Sequence, residues 1–409
     1  MLHFNLTLPR QVVFGPGRLN ELGKLAAAIG KRAVLVTGRE WIEKSGRLAR
    51  IQEQFAFQSV ECRRVVASPE PTVEQVTQIR AGLEDFPADL VVAIGGGSVI
   101  DVGKVLAALI ANGGEPMDYI EGVGYGKSLT KPALPVIAVP TTAGTGAEAT
   151  KNSVLGDDAH TFKKSIRHDS MMPAVALLDP ELLADCPPAV AAACGMDTVA
   201  QLIESYVSLG SSPLTDVLAH EGLASAGALV TFLRDRSDPQ ASGAMAMASM
   251  LSGVCLANAG LGSVHALASA IGGFFPAPHG AVCAALLPPA IELNAHYANE
   301  MGNTELLEKY SLAWQLLTGW GPSMQVSGDP LGNETVFTGM IDNTFDASKR
   351  LVMFLASLRD GLRIPKLSHW GVTADDFDRI IDNAGPGNLK KNPIELDRDS
   401  LAWILEAAL

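Results

Sequence analysis

At 409 residues, 47% of them hydrophobic, the chain can bury more than one core, and its length suggests two domains or more. A formal net charge of -13 argues against a nucleic-acid or anionic-membrane surface, because either partner would repel it. The five cysteines are odd in number, lack CxxC spacing and sit mostly in apolar surroundings, which fits a reducing cytoplasm. The amino terminus has no signal-peptide character and no apolar run reaches the roughly 18 residues of a membrane span, so a soluble, unexported protein is expected. The basic pairs Arg63-Arg64, Lys163-Lys164 and Lys390-Lys391 read as solvated surface.

In chain order, residues 19–29 carry helical periodicity and residues 33–37 form a short, nearly continuous apolar run, as in a strand buried on both faces of a parallel sheet. Residues 72–83 read as a helix and 90–94 as a second buried strand. The latter runs into Gly95-Gly96-Gly97-Ser98-Val99-Ile100-Asp101-Val102-Gly103-Lys104, a glycine turn opening a helix. Glycines let backbone N–H groups approach an anion, Ser98 can cap the helix, and the helix dipole favours a diphosphate. Neither GxGxxG nor the ATP-binding P-loop is matched: Ile100 stands at the last glycine position and Val105 follows Gly103-Lys104. Val136–Pro140 reads as a further strand stopped by proline, followed by the hydroxyl-rich loop Thr141-Thr142-Ala143-Gly144-Thr145. This alternation predicts an α/β unit with helices on both sides of a parallel sheet and ligands at the carboxyl ends of its strands.

Past Cys186-Pro187-Pro188 the pattern turns to long helical segments at 189–209, 213–233 and 242–259. The boundary is therefore placed between an α/β dinucleotide-binding domain, 1–186, and an all-helical metal- and substrate-binding domain, 187–409. Residues 319–342, rich in Gly, Pro, Asn and Ser, read as an exposed loop or insertion. Within the helical part, Asp197 and Gln201 fall at i and i+4 and can converge on one point. His265 lies in a small, apolar segment, and His279 follows fourteen residues later in Pro276-Ala277-Pro278-His279-Gly280. Carboxylate and imidazole donors suit iron or zinc, an amide oxygen less so. The same residues taken alone are equally compatible with hydrogen-bonded core groups.

The Gly-Met-Asp with a second donor four residues on, the His265 to His279 spacing and the Pro-His-Gly together resemble the metal-site region of the iron-containing alcohol dehydrogenases. That family shares its fold with dehydroquinate synthase and glycerol dehydrogenase, and the resemblance spans most of the chain. It departs at Gln201, where the family pattern has a histidine, and at Ser269, where it often has another. The resemblance implies a divalent metal, iron or zinc, held by Asp197, His265, His279 and Gln201. It also implies a nicotinamide dinucleotide whose diphosphate lies on Gly96, Gly97 and Ser98, with Thr141, Thr142, Thr145, Lys163 and Leu182 against the cofactor. Gly38, Arg39, Gly95 and Asp101 complete the expected cofactor set. A carboxylate after the 33–37 strand would bond the ribose hydroxyls of NAD and repel the extra phosphate of NADP. Gly38-Arg39 stands there instead, so NADP is favoured over NAD.

The expected activity is metal-dependent hydride transfer between a nicotinamide and an alcohol/aldehyde or ketone pair, in a cleft between the two domains. Small-molecule substrates, a cytoplasmic location and a homodimer or higher homo-oligomer go with the resemblance, and neither nucleic acid nor membrane is a partner. Competing readings are a metal-independent reductase or dehydroquinate-synthase-like lyase on the same fold, and a catalytically degenerate dinucleotide-binding protein.

Overall fold

The computed structural model of the protein describes residues 4–157, 159, 161–319 and 344–409. The loop expected at 319–342 lies, apart from Gly319, outside the described residues. Two compact units divide the chain. Thr7–Thr142 with Gly146–Cys186 forms one, and Ala143–Thr145 with Pro187–Leu409 belongs to the other.

The first unit is built on strands β1 (Gln11–Phe14), β2 (Arg32–Thr37), β3 (Glu61–Val66), β4 (Leu90–Gly95), β5 (Val136–Pro140), β6 (Asn152–Gly156), β7 (Lys163–Arg167) and β8 (Val175–Leu178). Six of them form one sheet in the order β1-β8-β5-β4-β2-β3, every pair parallel. Alternate side chains of the central strands feed two cores. Val34, Val36, Val91, Ala93 and Ala138 pack on one face, and Leu35, Val92, Ile94, Ile137 and Val139 on the other. Burial on both faces is why these strands are apolar without alternation. The connection β2 to β3 runs one way across the sheet and β4 to β5 the other, which opens a crevice at the carboxyl ends of the central strands. The antiparallel hairpin β6–β7 was not expected from the sequence: its short, polar strands leave little apolar signal.

The second unit is helical among the described residues, so the expected fold class holds. Its Pro188–Val207 helix packs against Pro213–Ala226, Pro239–Ala259 and His279–Glu300. The single helix expected over 213–233 is two, Pro213–Ala226 and Leu229–Arg234, separated at Gly227-Ala228. Helix Pro239–Ala259 is long and apolar enough to cross a membrane by length and composition alone. Its apolar surface is instead covered by the neighbouring helices, with 67% of its most apolar window buried.

Candidate metal and cofactor centre

Register brings most of the expected cofactor residues to one sheet edge. Thr37 stands beside Ile94 and Gly95 beside Pro140. Strands β2, β4 and β5 therefore end level, releasing Gly38-Arg39, Gly96-Gly97-Ser98 and Thr141-Thr142 together. The Thr141 N–H donates to the Gly95 carbonyl at 2.9 Å and locks two of these turns to each other. A Cβ on Gly95 would stand 2.5 Å from the Val99 side chain, so the tight turn requires glycine. The helix Gly97–Asn112 starts here, and the N–H groups of its first turn have no carbonyls within the helix to bond. Its cap is Gly96, with no side-chain cap bond; Ser98 lies inside the first turn rather than capping it.

Three expected cofactor residues are occupied by the protein itself. Asp101 pairs with Lys104 Nζ at 3.1 Å and accepts the Val154 N–H at 3.0 Å, fastening the β6–β7 hairpin to the helix. Leu182 is buried in the core with Ile94 and Val139. Lys163 pairs with Glu70 at 2.8 Å. Thr145 is half-buried and belongs with the helical unit, as does Gly144, whose carbonyl accepts the Thr198 hydroxyl at 2.9 Å. Arg39 is exposed beyond β2. A second guanidinium stands there that the sequence reading left on the surface: Arg64 Nε donates to Thr37 Oγ1 at 2.9 Å, Nη2 donates to the Gly38 carbonyl at 3.3 Å, and Nη1 pairs with Glu43.

In the helical unit three of the four expected metal donors meet. His265 Nε2 lies 3.2 Å from Asp197 Oδ1 and His279 Nε2 lies 3.8 Å from the same oxygen. Asp197 and His265 are buried, while the His279 side chain keeps 28% of its surface. His279 opens the His279–Glu300 helix, and the following Gly280 makes the approach possible: a Cβ there would run into the Ala193 carbonyl of the Asp197 helix. Gln201 is turned differently. Its Nε2 donates to Asp197 Oδ2 at 3.4 Å and its Oε1 accepts from Ser252 Oγ at 3.0 Å. Ser269 Oγ donates to the His265 carbonyl, one helical turn back.

Cys283, which the sequence pattern did not single out, also lies in the cluster. Its Sγ is 3.7 Å from both His265 Nε2 and His279 Nε2, and the four donor atoms lie within 4.8 Å of one another. The available signal was its i+4 spacing from His279, hidden in an apolar helix where a thiol reads as packing.

The electrostatics favour positive charge at this place, as a proton on His265 or as a metal ion. Glu204 Oε2 sits 2.6 Å from His265 Nδ1, and the same carboxylate accepts the Val264 N–H at 2.8 Å. When His265 Nδ1–H donates to Glu204 and the ring is neutral, the Nε2 lone pair faces the Asp197 carboxylate, and two acceptors at that distance repel unless a proton or a metal ion lies between them. Burial opposes charging of His265, yet Cys283, Asp197 and Glu204 raise its proton affinity well above the usual histidine range. Burial likewise works against the Asp197 charge, but His279 and His265 hold the carboxyl below its ordinary value. Burial pushes the Cys283 thiol up to about 12. A buried carboxylate, two imidazoles and a thiol, with a second carboxylate behind one imidazole, form a donor set that fits a divalent metal.

A nucleotide-binding sheet edge and a buried donor cluster on one chain are the parts of a metal-dependent nicotinamide dehydrogenase. Residues 9–180 match the family described as "Iron-containing alcohol dehydrogenase", and residues 191–409 match "Fe-containing alcohol dehydrogenase family, C-terminal". Alcohol dehydrogenase 4 of Saccharomyces cerevisiae is 38% identical over 291 residues, 70% of this chain and 75% of that protein. The 1,3-propanediol dehydrogenase of Klebsiella pneumoniae is 30% identical over 99% of this chain and 98% of its own. The solved alcohol dehydrogenase of Oenococcus oeni superposes with a TM-score of 0.86 at 28% identity, covering 100% of both chains. The chain belongs to the iron-containing alcohol dehydrogenase family, and with it to the metal-dependent, nicotinamide-linked oxidoreductases of alcohols and aldehydes.

Proposed function

We propose that this protein is an NADP(H)-preferring alcohol dehydrogenase or aldehyde reductase whose metal is held by Asp197, His265 and His279. The observation that carries the metal assignment is the Glu204–His265–Asp197 line, in which one imidazole is fixed between two buried carboxylates. His265 Nδ1–H donates to Glu204, which leaves Nε2 as a lone-pair donor; Gln201 steadies Asp197 through its amide N–H. A divalent ion bound there supplies Lewis-acid polarisation of a carbonyl or carbinol oxygen. The sheet edge at Gly96-Gly97-Ser98 and Thr141-Thr142 seats the dinucleotide diphosphate. Gly38 and Arg39 support NADP: the two residues directly after β2 carry no carboxylate, the nearby Glu40 and Glu43 are paired with Lys44 and Arg64, and Arg39 brings positive charge there. Cytoplasmic residence and a homodimer or larger homo-oligomer complete the reading; no disulfide joins the five cysteines.

Purified protein, metal-analysed and then reconstituted, is screened against short and long aldehydes with NADPH and NADH by loss of nicotinamide absorbance. Metal-dependent oxidation of NADPH by at least one aldehyde is expected. Dinucleotide binding without turnover across the panel would favour a degenerate binder, and undiminished turnover after exhaustive chelation a metal-independent reductase.

A further inference from the structure

The Asp197, His265 and His279 cluster leaves a fourth donor position to be filled, and two side chains compete for it. Gln201 rises one turn after Asp197 on the same helix, yet as placed its oxygen faces Ser252 Oγ at 3.0 Å, a hydroxyl whose one proton the Ser249 carbonyl shares at 2.8 Å, and its amino group faces Asp197. An amino group carries no lone pair to offer a cation, so Gln201 as placed buttresses a ligand. Cys283 rises one turn after His279 and points its sulfur at the imidazole nitrogens from inside the protein, with the residue itself fully buried.

We infer that the Cys283 thiolate is the fourth protein ligand, making the centre an Asp-His-His-Cys site for zinc; this rests on the metal-centre reading above. The distances carry the argument. Zinc bonds of about 2.3 Å to sulfur and about 2.0–2.1 Å to nitrogen or oxygen give tetrahedral edges of about 3.6 Å for S···N and about 3.3 Å for N···O. The structure has 3.7 Å for both S···N separations and 3.2 and 3.8 Å for the two N···O separations. Four of the six edges thus already match a tetrahedral site of this size, and the other two separations are within 4.8 Å, so small side-chain movements close the set around an ion. On metal binding the thiol gives up its proton to solvent and its sulfur lone pair forms the bond; no oxidant or reductant takes part. Two anionic donors, Asp197 and Cys283, then balance the charge of a divalent ion in a buried place. A thiolate also biases the metal: soft sulfur selects zinc over ferrous iron, which an all-nitrogen-and-oxygen set does much less.

The test uses the full-length protein, stripped with chelator and reloaded with zinc or cobalt(II). Zinc-edge X-ray absorption of the unaltered holoprotein is expected to show one sulfur at about 2.3 Å among nitrogen and oxygen scatterers. The cobalt form is expected to show a near-ultraviolet sulfur-to-cobalt charge-transfer band that Gln201→Ala keeps and Cys283→Ala loses. Cys283→Ala and Cys283→Ser are each expected to bind zinc at least tenfold more weakly in chelator competition. Metal bound with no sulfur scatterer, or a charge-transfer band that survives Cys283→Ala, overturns the cysteine assignment and leaves the three-ligand centre standing. Failure of both unaltered protein and His265→Ala to retain any metal overturns the metal centre itself, and the cysteine assignment with it.

Discussion

Glu204 and His265 form a buried pair at 2.6 Å, Oε2 to Nδ1, and the other oxygen of the same carboxylate accepts the backbone N–H of Val264. One side chain therefore fixes both the start of the Ser263–Phe274 helix and the tautomer of the imidazole it carries. Glu204→Gln keeps the volume but replaces an anionic acceptor by a neutral one. Metal affinity is expected to fall about 10–100-fold, the usual effect of losing a carboxylate behind a ligating histidine. Chelator competition measures it, and an unchanged dissociation constant would show that Glu204 acts on the helix alone.

Removing a ligand outright has a larger effect. Asp197→Ala and His265→Ala are expected to fold, since each vacates a small buried site between packed helices, and to lose both bound metal and turnover. Metal content by elemental analysis is read beside activity. Full activity in either variant with the metal gone sinks the catalytic role given to the centre.

The cofactor assignment is tested at the end of β2. Nothing lies within 4 Å of where a Cβ on Gly38 would stand, so Gly38→Asp fits without displacing a neighbour. The new carboxylate repels a 2′-phosphate and draws on the same guanidinium, Arg64, that now bonds the Gly38 carbonyl. NADPH kcat/KM is expected to drop tenfold or more, about 1.4 kcal/mol in transition-state stabilisation, while NADH holds or improves. A native preference for NADH of that size contradicts the assignment.

These residues also mark what the sequence could and could not reveal. The parallel sheet was legible because both of its faces are buried, which leaves uninterrupted apolar runs at residues 33–37, 90–94 and 136–140. Asp197, His265 and His279 stood out because a carboxylate and imidazoles are rare in small, apolar helices, and the structure gathers all three. Cys283 did not, because a thiol in Ala281-Val282-Cys283-Ala284-Ala285 has the polarity of its neighbours. Gln201 shows what spacing leaves open: i+4 predicts the face a side chain leaves from, and contacts with Ser252, on a distant stretch of chain, bear on where its oxygen turns. Arg64 was read as surface because the partners that place it, Thr37 and Glu43, lie more than twenty positions away.

Stability in the α/β unit should carry a pH signature from Glu148. Its Oε1 is buried without a hydrogen-bond partner, and burial pushes the carboxyl up to about 7 against the pull of a backbone bond and of Lys104. The folded value lies above the ordinary 4.5, so between these limits the native protein keeps a proton that the unfolded chain has released. Stability contributed by this group falls as pH rises through the window and stays lower above it. Glu148→Gln, neutral throughout, is expected to flatten that slope and to gain about 1–3 kcal/mol on the native protein above pH 7 relative to its difference at pH 5. Thermal melts across the range decide it; parallel curves for the two proteins would place the proton elsewhere.

Gly280 offers the sharpest test of how the centre is assembled. The residue follows His279 at the start of one helix and faces the Asp197 helix so closely that a Cβ would overlap the Ala193 carbonyl and stand 3.1 Å from Asp197 Cβ. A backbone carbonyl cannot rotate away as a side chain would, so Gly280→Ala must part the two helices. That motion separates His279 from Asp197, which are 3.8 Å apart, and draws Cys283 away on the same helix. The His265–Glu204 pair does not involve the His279 helix and is expected to be spared: Glu204 lies two turns further along the Asp197 helix and His265 on Ser263–Phe274. The variant is expected to lose about 1–3 kcal/mol of stability, the range for overpacking a close contact, and to bind metal at least tenfold more weakly. Gly243→Ala is the control: it lies within the Pro239–Ala259 helix with nothing within 4 Å of the added methyl, and should hold or raise stability by about 0.5–1 kcal/mol. If Gly280→Ala melts and binds metal like the native protein, the approach of the two helices does not set the donor positions.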